Sequence, residues 1–178
     1  MAIAAVACGS AEEAPPPVLP VTGPLALLDA LEAARWEPAL TNLNHPSIER
    51  IEADLGGGAF PALLSHPASA LHWQLALQVP LHLTTAVGLL PAAWQQGGDG
   101  AVFRVVVRDR TRRTLFTSRL DPRHVPAERG WVPVDVDLSP WTGRTVTLTL
   151  ATDPGPDEDP AYDWAVWRNP MLSPAPAP

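Results

Sequence analysis

From Ser47 onward the chain repeats one pattern: apolar residues at alternate positions, interrupted by glycine, proline and aspartate. In LHWQLALQVP, Leu71, Trp73, Leu75, Leu77 and Val79 fall on one face. In WVPVDVDL, Val132, Val134, Val136 and Leu138 point one way, and Trp131, Pro133, Asp135 and Asp137 the other. In TVTLTLAT, Val146, Leu148 and Leu150 alternate with threonines. Successive side chains of a strand leave on opposite faces, so each segment reads as a strand with one side buried. SIERIEAD, AFPALLSH, LHLTTAVGLL, AVFRVVVRD and TLFTSRL bring the series to about eight strands. Turn residues separate them at Gly97-Gly98-Asp99-Gly100, 109–113, Asp121-Pro122 and 140–143.

One stretch has a different period. In LALLDALEAARW, residues 25–36, leucines and alanines step at three to four, with Gly23-Pro24 before and Pro38 after. It predicts a short helix that buries Leu28, Leu31 and Trp36. The expected fold is therefore all-β: an antiparallel β-sandwich of jelly-roll type with one short N-terminal helix, over residues 25–172. A proline-rich tether (1–24) precedes it and a low-complexity tail (173–178) follows. The 178 residues suit one domain large enough to bury a core without disulfides.

Charge removes one class of function. The net charge is −7, and all twelve basic residues are arginine. An acidic, lysine-free surface makes a poor track for phosphates, so general nucleic-acid binding is not expected. Arginine in place of lysine, with abundant alanine, proline and glycine, fits a GC-rich bacterial genome. No apolar run approaches the ~18 residues of a membrane-spanning helix.

At the N-terminus the small residues Ala5-Val6-Ala7 lead into Cys8, the only cysteine, followed by Gly9-Ser10 and a polar, proline-rich stretch. This order resembles the lipobox of bacterial lipoproteins, with Ala5 where leucine is usual. The resemblance implies lipidation at Cys8 and membrane attachment through that anchor alone, on an extended tether.

Reactive motifs are absent. There is no GxSxG elbow, phosphate loop or dinucleotide fingerprint, and the five histidines lack zinc-ligand spacing. No enzyme activity is expected. Candidate binding groups lie in loops. Trp94 sits in PAAWQQGGDG with Gln96 and Asp99, and Arg129 lies in a loop that could share that end of a sandwich. An exposed aromatic face beside amide, guanidinium and carboxylate groups suits a hydroxyl-rich ligand. Trp164 and Trp167 are three apart, so on a strand they face opposite sides and form no common platform. Trp73, Trp131 and Trp141 read as packing residues. The loop ATDPGPDEDPAYDW offers Asp153, Asp157 and Asp159 as candidate oxygen ligands for a structural calcium, without EF-hand spacing.

The stretch WVPVDVDLSPWTGRTVTLTLATDPG, with upstream GDGAVFRVVVRD and terminal YDWAVWRNPML, resembles the second half of a galactose-binding-like jelly roll. The carrying residues are Trp131, Asp137-Leu138-Ser139, Trp141, Gly143 and the alternation through Leu150. The likeness runs from about Ser47 to Leu172, and extends more loosely to carbohydrate-binding modules. It implies an extracytoplasmic binding domain that recognises a glycan. A structural domain that docks onto an envelope protein is the alternative, since fold alone does not carry function.

Overall fold

Twelve strands lie among the residues described by the computed structural model, 16–38 and 48–174. They are β1 (Val18–Val21), β2 (Leu25–Ala26), β3 (Arg35–Pro38), β4 (Ile48–Ala53), β5 (Phe60–Ser65), β6 (Ser69–Leu77), β7 (His82–Leu89), β8 (Ala101–Arg108), β9 (Arg112–Leu120), β10 (Val132–Asp137), β11 (Arg144–Pro154) and β12 (Ala165–Ser173). Cys8 and His45 lie outside the described residues.

The strands form two sheets. Sheet A runs β1-β6-β11-β8-β9, and sheet B runs β10-β7-β12-β5-β4. β6 is long enough to take two partners on one edge: β1 along Gln74–Leu77 and β3 along Ser69–His72. β12 likewise takes β2 beyond the end of β5. Only β1 pairs parallel; every other pairing is antiparallel. The expected jelly-roll sandwich is present.

Alternation places the core. β6 buries every odd residue from Ser69 to Leu77. Facing it, Leu83, Val87, Trp167 and Leu172 fill the inner side of sheet B. Phe103 of sheet A meets Trp167 of sheet B edge-on, with ring centroids 5.3 Å apart at 78°, a contact worth about 0.5–1.5 kcal/mol beyond its buried area. The Trp167 indole Nε1 donates to Thr152 Oγ1 (3.1 Å), whose hydroxyl donates to Ser65 Oγ (3.1 Å), which shares a hydrogen bond with Ser69 Oγ (2.8 Å). The buried polar groups at this end of the core therefore satisfy one another.

The short N-terminal helix is present, and two boundaries in the N-terminal third are corrected. The helix takes up only part of the segment 25–36. That segment is a two-residue strand, a 3-10 helix (Leu27–Ala33) with a kink at Ala30, and then β3. Leu27 and Leu28 are buried and Leu31 is half-buried, but Trp36 stays 43% exposed. Its backbone is drawn into the free edge of β6, and edge hydrogen bonding outweighs the weak helical preference of a short segment. Residues 1–24 are not all tether either, since Val18–Val21 form β1. The strand β12 also reaches Ser173, one residue into the expected tail. Among the described residues no helix is long and apolar enough to cross a membrane.

Candidate functional site

The outer face of sheet A carries the polar half of the alternation that buries the core. Strand register sets its side chains in rows. One row runs Arg112 (β9), Arg108 (β8), Thr147 (β11) and Gln74 (β6). The next runs Val106, Thr149, His72 and Arg35. A third runs Arg104, Ala151, Ala70 and Glu37. These rows floor an open groove of about 620 Å³, rimmed by Pro16. It continues into a smaller hollow of about 300 Å³ that ends at Asp153.

The floor is ordered by its own hydrogen bonds. His72 Nδ1 lies 2.8 Å from Thr149 Oγ1, and the Gln74 amide donates to Thr147 Oγ1 at 3.1 Å. His72 Nε2 lies 3.2 Å from Glu37 Oε2, and Arg35 pairs with the same glutamate. Arg104 pairs with Asp153 at 2.9 Å. Hydroxyl, amide, imidazole and guanidinium groups thus stand at fixed spacing on a rigid sheet, a surface fit to exchange hydrogen bonds with a polyhydroxylated ligand. Thr149, His72 and Glu37 resemble a nucleophile, base and acid in series. They sit mid-sheet, where β11 is laddered to both β6 and β8. That leaves no free backbone N–H beside Thr149 to stabilise an oxyanion.

The loop groups expected to bind behave differently. Trp94 is half-buried: its indole Nε1 donates to Leu89 O at 2.8 Å, and its ring packs against both apolar clusters. The Arg129 guanidinium lies 5.8 Å from the Trp94 ring centre, while its Nε donates to Pro122 O. Those two residues meet. Gln96 projects into solvent. Asp99 is a correction: it is only 9% exposed, with its carboxylate accepting from the Asp157 backbone N–H and its carbonyl accepting from Arg119. The side chain is spent on tying two loops together. The crevice beside this region, between Leu89, Gly98 and Tyr162, holds about 10 Å³, too little for a sugar ring.

The candidate calcium ligands do not converge. Asp153 pairs with Arg104, Asp159 accepts from the Ala161 backbone N–H, and exposed Asp157 bonds through its own N–H to Asp99. Among the described residues no group of three such side chains surrounds a common point. The loop also contains a perturbed acid outside that ligand set. Asp163 is 1% exposed. Burial, then the nearby charges of Asp99 and Asp159, push its pKa from the ordinary 3.8 to about 7.

Trp167 is in the core and Trp164 precedes β12, half-buried and tilted against Tyr162 at 6.3 Å. The pair forms no common platform. Trp73 and Trp141 are buried and Trp131 is half-buried, packed against the outer cluster of sheet B.

His72, Gln74, Thr147 and Thr149 were visible in the sequence as the polar members of half-buried strands. Arg104 and Arg108 were visible at alternate positions of FRVVVRD. That signal reads equally as ordinary solvent-facing polarity until the register lines the strands up.

No sequence family matches the chain. An uncharacterised protein of Archaeoglobus fulgidus is 41% identical over 92 residues, a match that takes in 51% of this chain and 23% of that protein. Among solved structures, a CBM51 module from Clostridium perfringens GH95, solved in complex with methyl-galactose, superposes with a TM-score of 0.58 at 16% identity, over 84% of this chain and 99% of that one. The tandem CBM51 modules of a family 98 glycoside hydrolase from Streptococcus pneumoniae give 0.51 at 15% identity, over 86% and 48%. A structure of CBM51-2 and INT domains of Clostridium perfringens ZmpB gives 0.53 at 16% identity, over 79% and 30%. The chain shares the jelly-roll fold of these carbohydrate-binding modules.

Proposed function

We propose that this chain is a non-catalytic carbohydrate-binding domain that holds a saccharide along the groove on the outer face of sheet A. The observation that carries this reading is the groove: about 620 Å³, open, and floored by His72, Gln74, Thr147 and Thr149. These groups are oriented by one another before any ligand arrives, which lowers the entropy lost on binding. The shared fold with carbohydrate-binding modules supports the same reading. The lipobox-like segment around Cys8 and the prolines after it support display outside the cytoplasm, on the outer side of a bacterial membrane.

Affinity electrophoresis of the full chain through a panel of polysaccharide gels tests this. Retardation is expected with at least one polysaccharide class. It should be lost in His72→Ala and Gln74→Ala and kept in Trp94→Ala. Retention lost only in Trp94→Ala would return the site to the loop end with Arg129 and Gln96. Absence of retardation, with specific crosslinking to an envelope protein, would replace the reading with an assembly domain.

A further inference from the structure

Resting on the carbohydrate reading, we propose that the saccharide is anionic, with its carboxylate or sulfate seated between Arg108 and Arg112. The β8–β9 hairpin sets these two arginines directly opposite each other, where like charges repel. Neither guanidinium has an ion-pair or hydrogen-bond partner among the described residues. The carboxylate closest in sequence, Asp109, is committed elsewhere. It accepts from the Thr111 backbone N–H at 3.0 Å and pairs with Arg144 at 3.1 Å, and the Thr111 bond leads the contacts that hold its pKa below the ordinary value.

The other charges of the groove cancel. Arg35 and His72 face Glu37, and Arg104 faces Asp153. Four arginines therefore meet two carboxylates along the groove, and the two left without a carboxylate are the hairpin pair, Arg108 lining the larger hollow and Arg112 lining both. A surplus of this kind is notable in a chain of net charge −7.

The chemistry of a guanidinium narrows the partner. Its planar fork matches the paired oxygens of a carboxylate or sulfate, and the bond is charge-assisted. From Arg112 the row continues across Arg108 and Thr147 to Gln74, three strand spacings of about 4.8 Å each. An anionic group anchored at the arginine end would lay its neighbouring rings over Thr147, Gln74 and the His72–Thr149 pair. The expected ligand is thus an oligosaccharide with a uronate or sulfate near one end, and it would also relieve the repulsion built into the hairpin.

The test uses the full chain against a glycan array that carries uronate-bearing, sulfated and neutral saccharides. Polygalacturonate, its fully methyl-esterified form and single-stranded DNA are added as solution probes. Binding to acidic glycans should weaken by about tenfold or more in Arg108→Gln and in Arg112→Gln. The Lys variants should fall between, and raised salt should mimic the Gln variants. Methyl esterification should abolish binding, and neutral glycans should be weak. Equal binding of acid and ester, or indifference to both Gln variants while His72→Ala still loses binding, would overturn the anionic assignment and leave the carbohydrate reading standing. No binding to any glycan would remove both. Binding of DNA as tight as polygalacturonate would replace the saccharide with a general polyanion.

Discussion

The two outer faces of the sandwich solve the same problem in opposite ways. Each sheet turns half of its side chains away from the core. Sheet B covers them with its own residues: Leu55, Ala53, Ala62 and Val166 form a second apolar cluster, flanked by Trp131 and Trp94. The Arg168 guanidinium lies 3.4 Å from the centre of the Phe60 ring and 5.8 Å from that of Trp131. The cover is tight enough that a Cβ on Gly88 would come within 2.2 Å of Leu55 and 2.9 Å of the Gly130 carbonyl. Among the described residues sheet A builds no such second apolar cluster. Its outer threonines, His72 and Gln74 bond to one another and leave their remaining donors and acceptors facing a groove. A sandwich needs only one sealed outer face to hold an added layer of loops, so the other is free for recognition. Buried apolar cover brings stability, and ordered polar exposure brings specificity.

Breaking the cover of sheet B should have the largest effect. Leu55→Ala removes a buried side chain and should cost about 2–3 kcal/mol, measured by urea denaturation. Glycan binding should be unchanged, and a parallel loss of binding would show that the faces are not independent. A control that belongs to neither face comes next. Folded Asp163 holds its proton up to about pH 7, whereas the unfolded chain releases it near 3.8. Its contribution is therefore full at low pH and is lost as pH rises through that window, with no further change above it. Asp163→Asn should flatten the fall in melting temperature between about pH 4 and about pH 7 and leave binding untouched.

On sheet A the effects on stability shrink while the effects on binding grow. Thr149→Val keeps the shape but takes away the partner of His72 Nδ1. It should cost about 1 kcal/mol of stability and roughly tenfold in glycan affinity by calorimetry. The smallest change is of opposite sign. Arg108→Gln removes a cross-strand repulsion and should stabilise the ligand-free chain by about 0.2–1 kcal/mol, read from the urea midpoint. A loss of stability would mean that Arg108 already has a counter-charge.

How far the sequence revealed this depends on which physical signal each element carries. β6, β10 and β11 alternate strictly, and the sandwich and its core were legible from them. β1, β2 and β3 were not. VLPV sits among prolines, and LALLDALEAARW has helical spacing, yet both supply strands because β6 and β12 have open edge to fill. Available edge is a property of the assembled sheet. Of the loop groups expected to bind, Trp94 turns inward to satisfy its indole N–H and Asp99 to bridge loops. The groove residues were present as the polar half of each strand. Their alignment into rows needs the register of β9, β8, β11, β6 and β3 together. One part of it was within reach: a three-residue turn after Arg108 places Arg112 opposite it.

The parallel strand β1 has a mechanical consequence. It holds only four residues, lies along β6 from Gln74 to Leu77, and is preceded by Pro16 at the rim of the groove. Tension on the N-terminal segment would enter the domain there, along the strand, and reach the Gln74 backbone before it reached any buried residue. A saccharide that spans from Gln74 to the far hairpin would splice the loaded strand to β11, β8 and β9. Occupancy of the groove and resistance to pulling would then rise together, and a stretched domain would release its cargo before it lost its core.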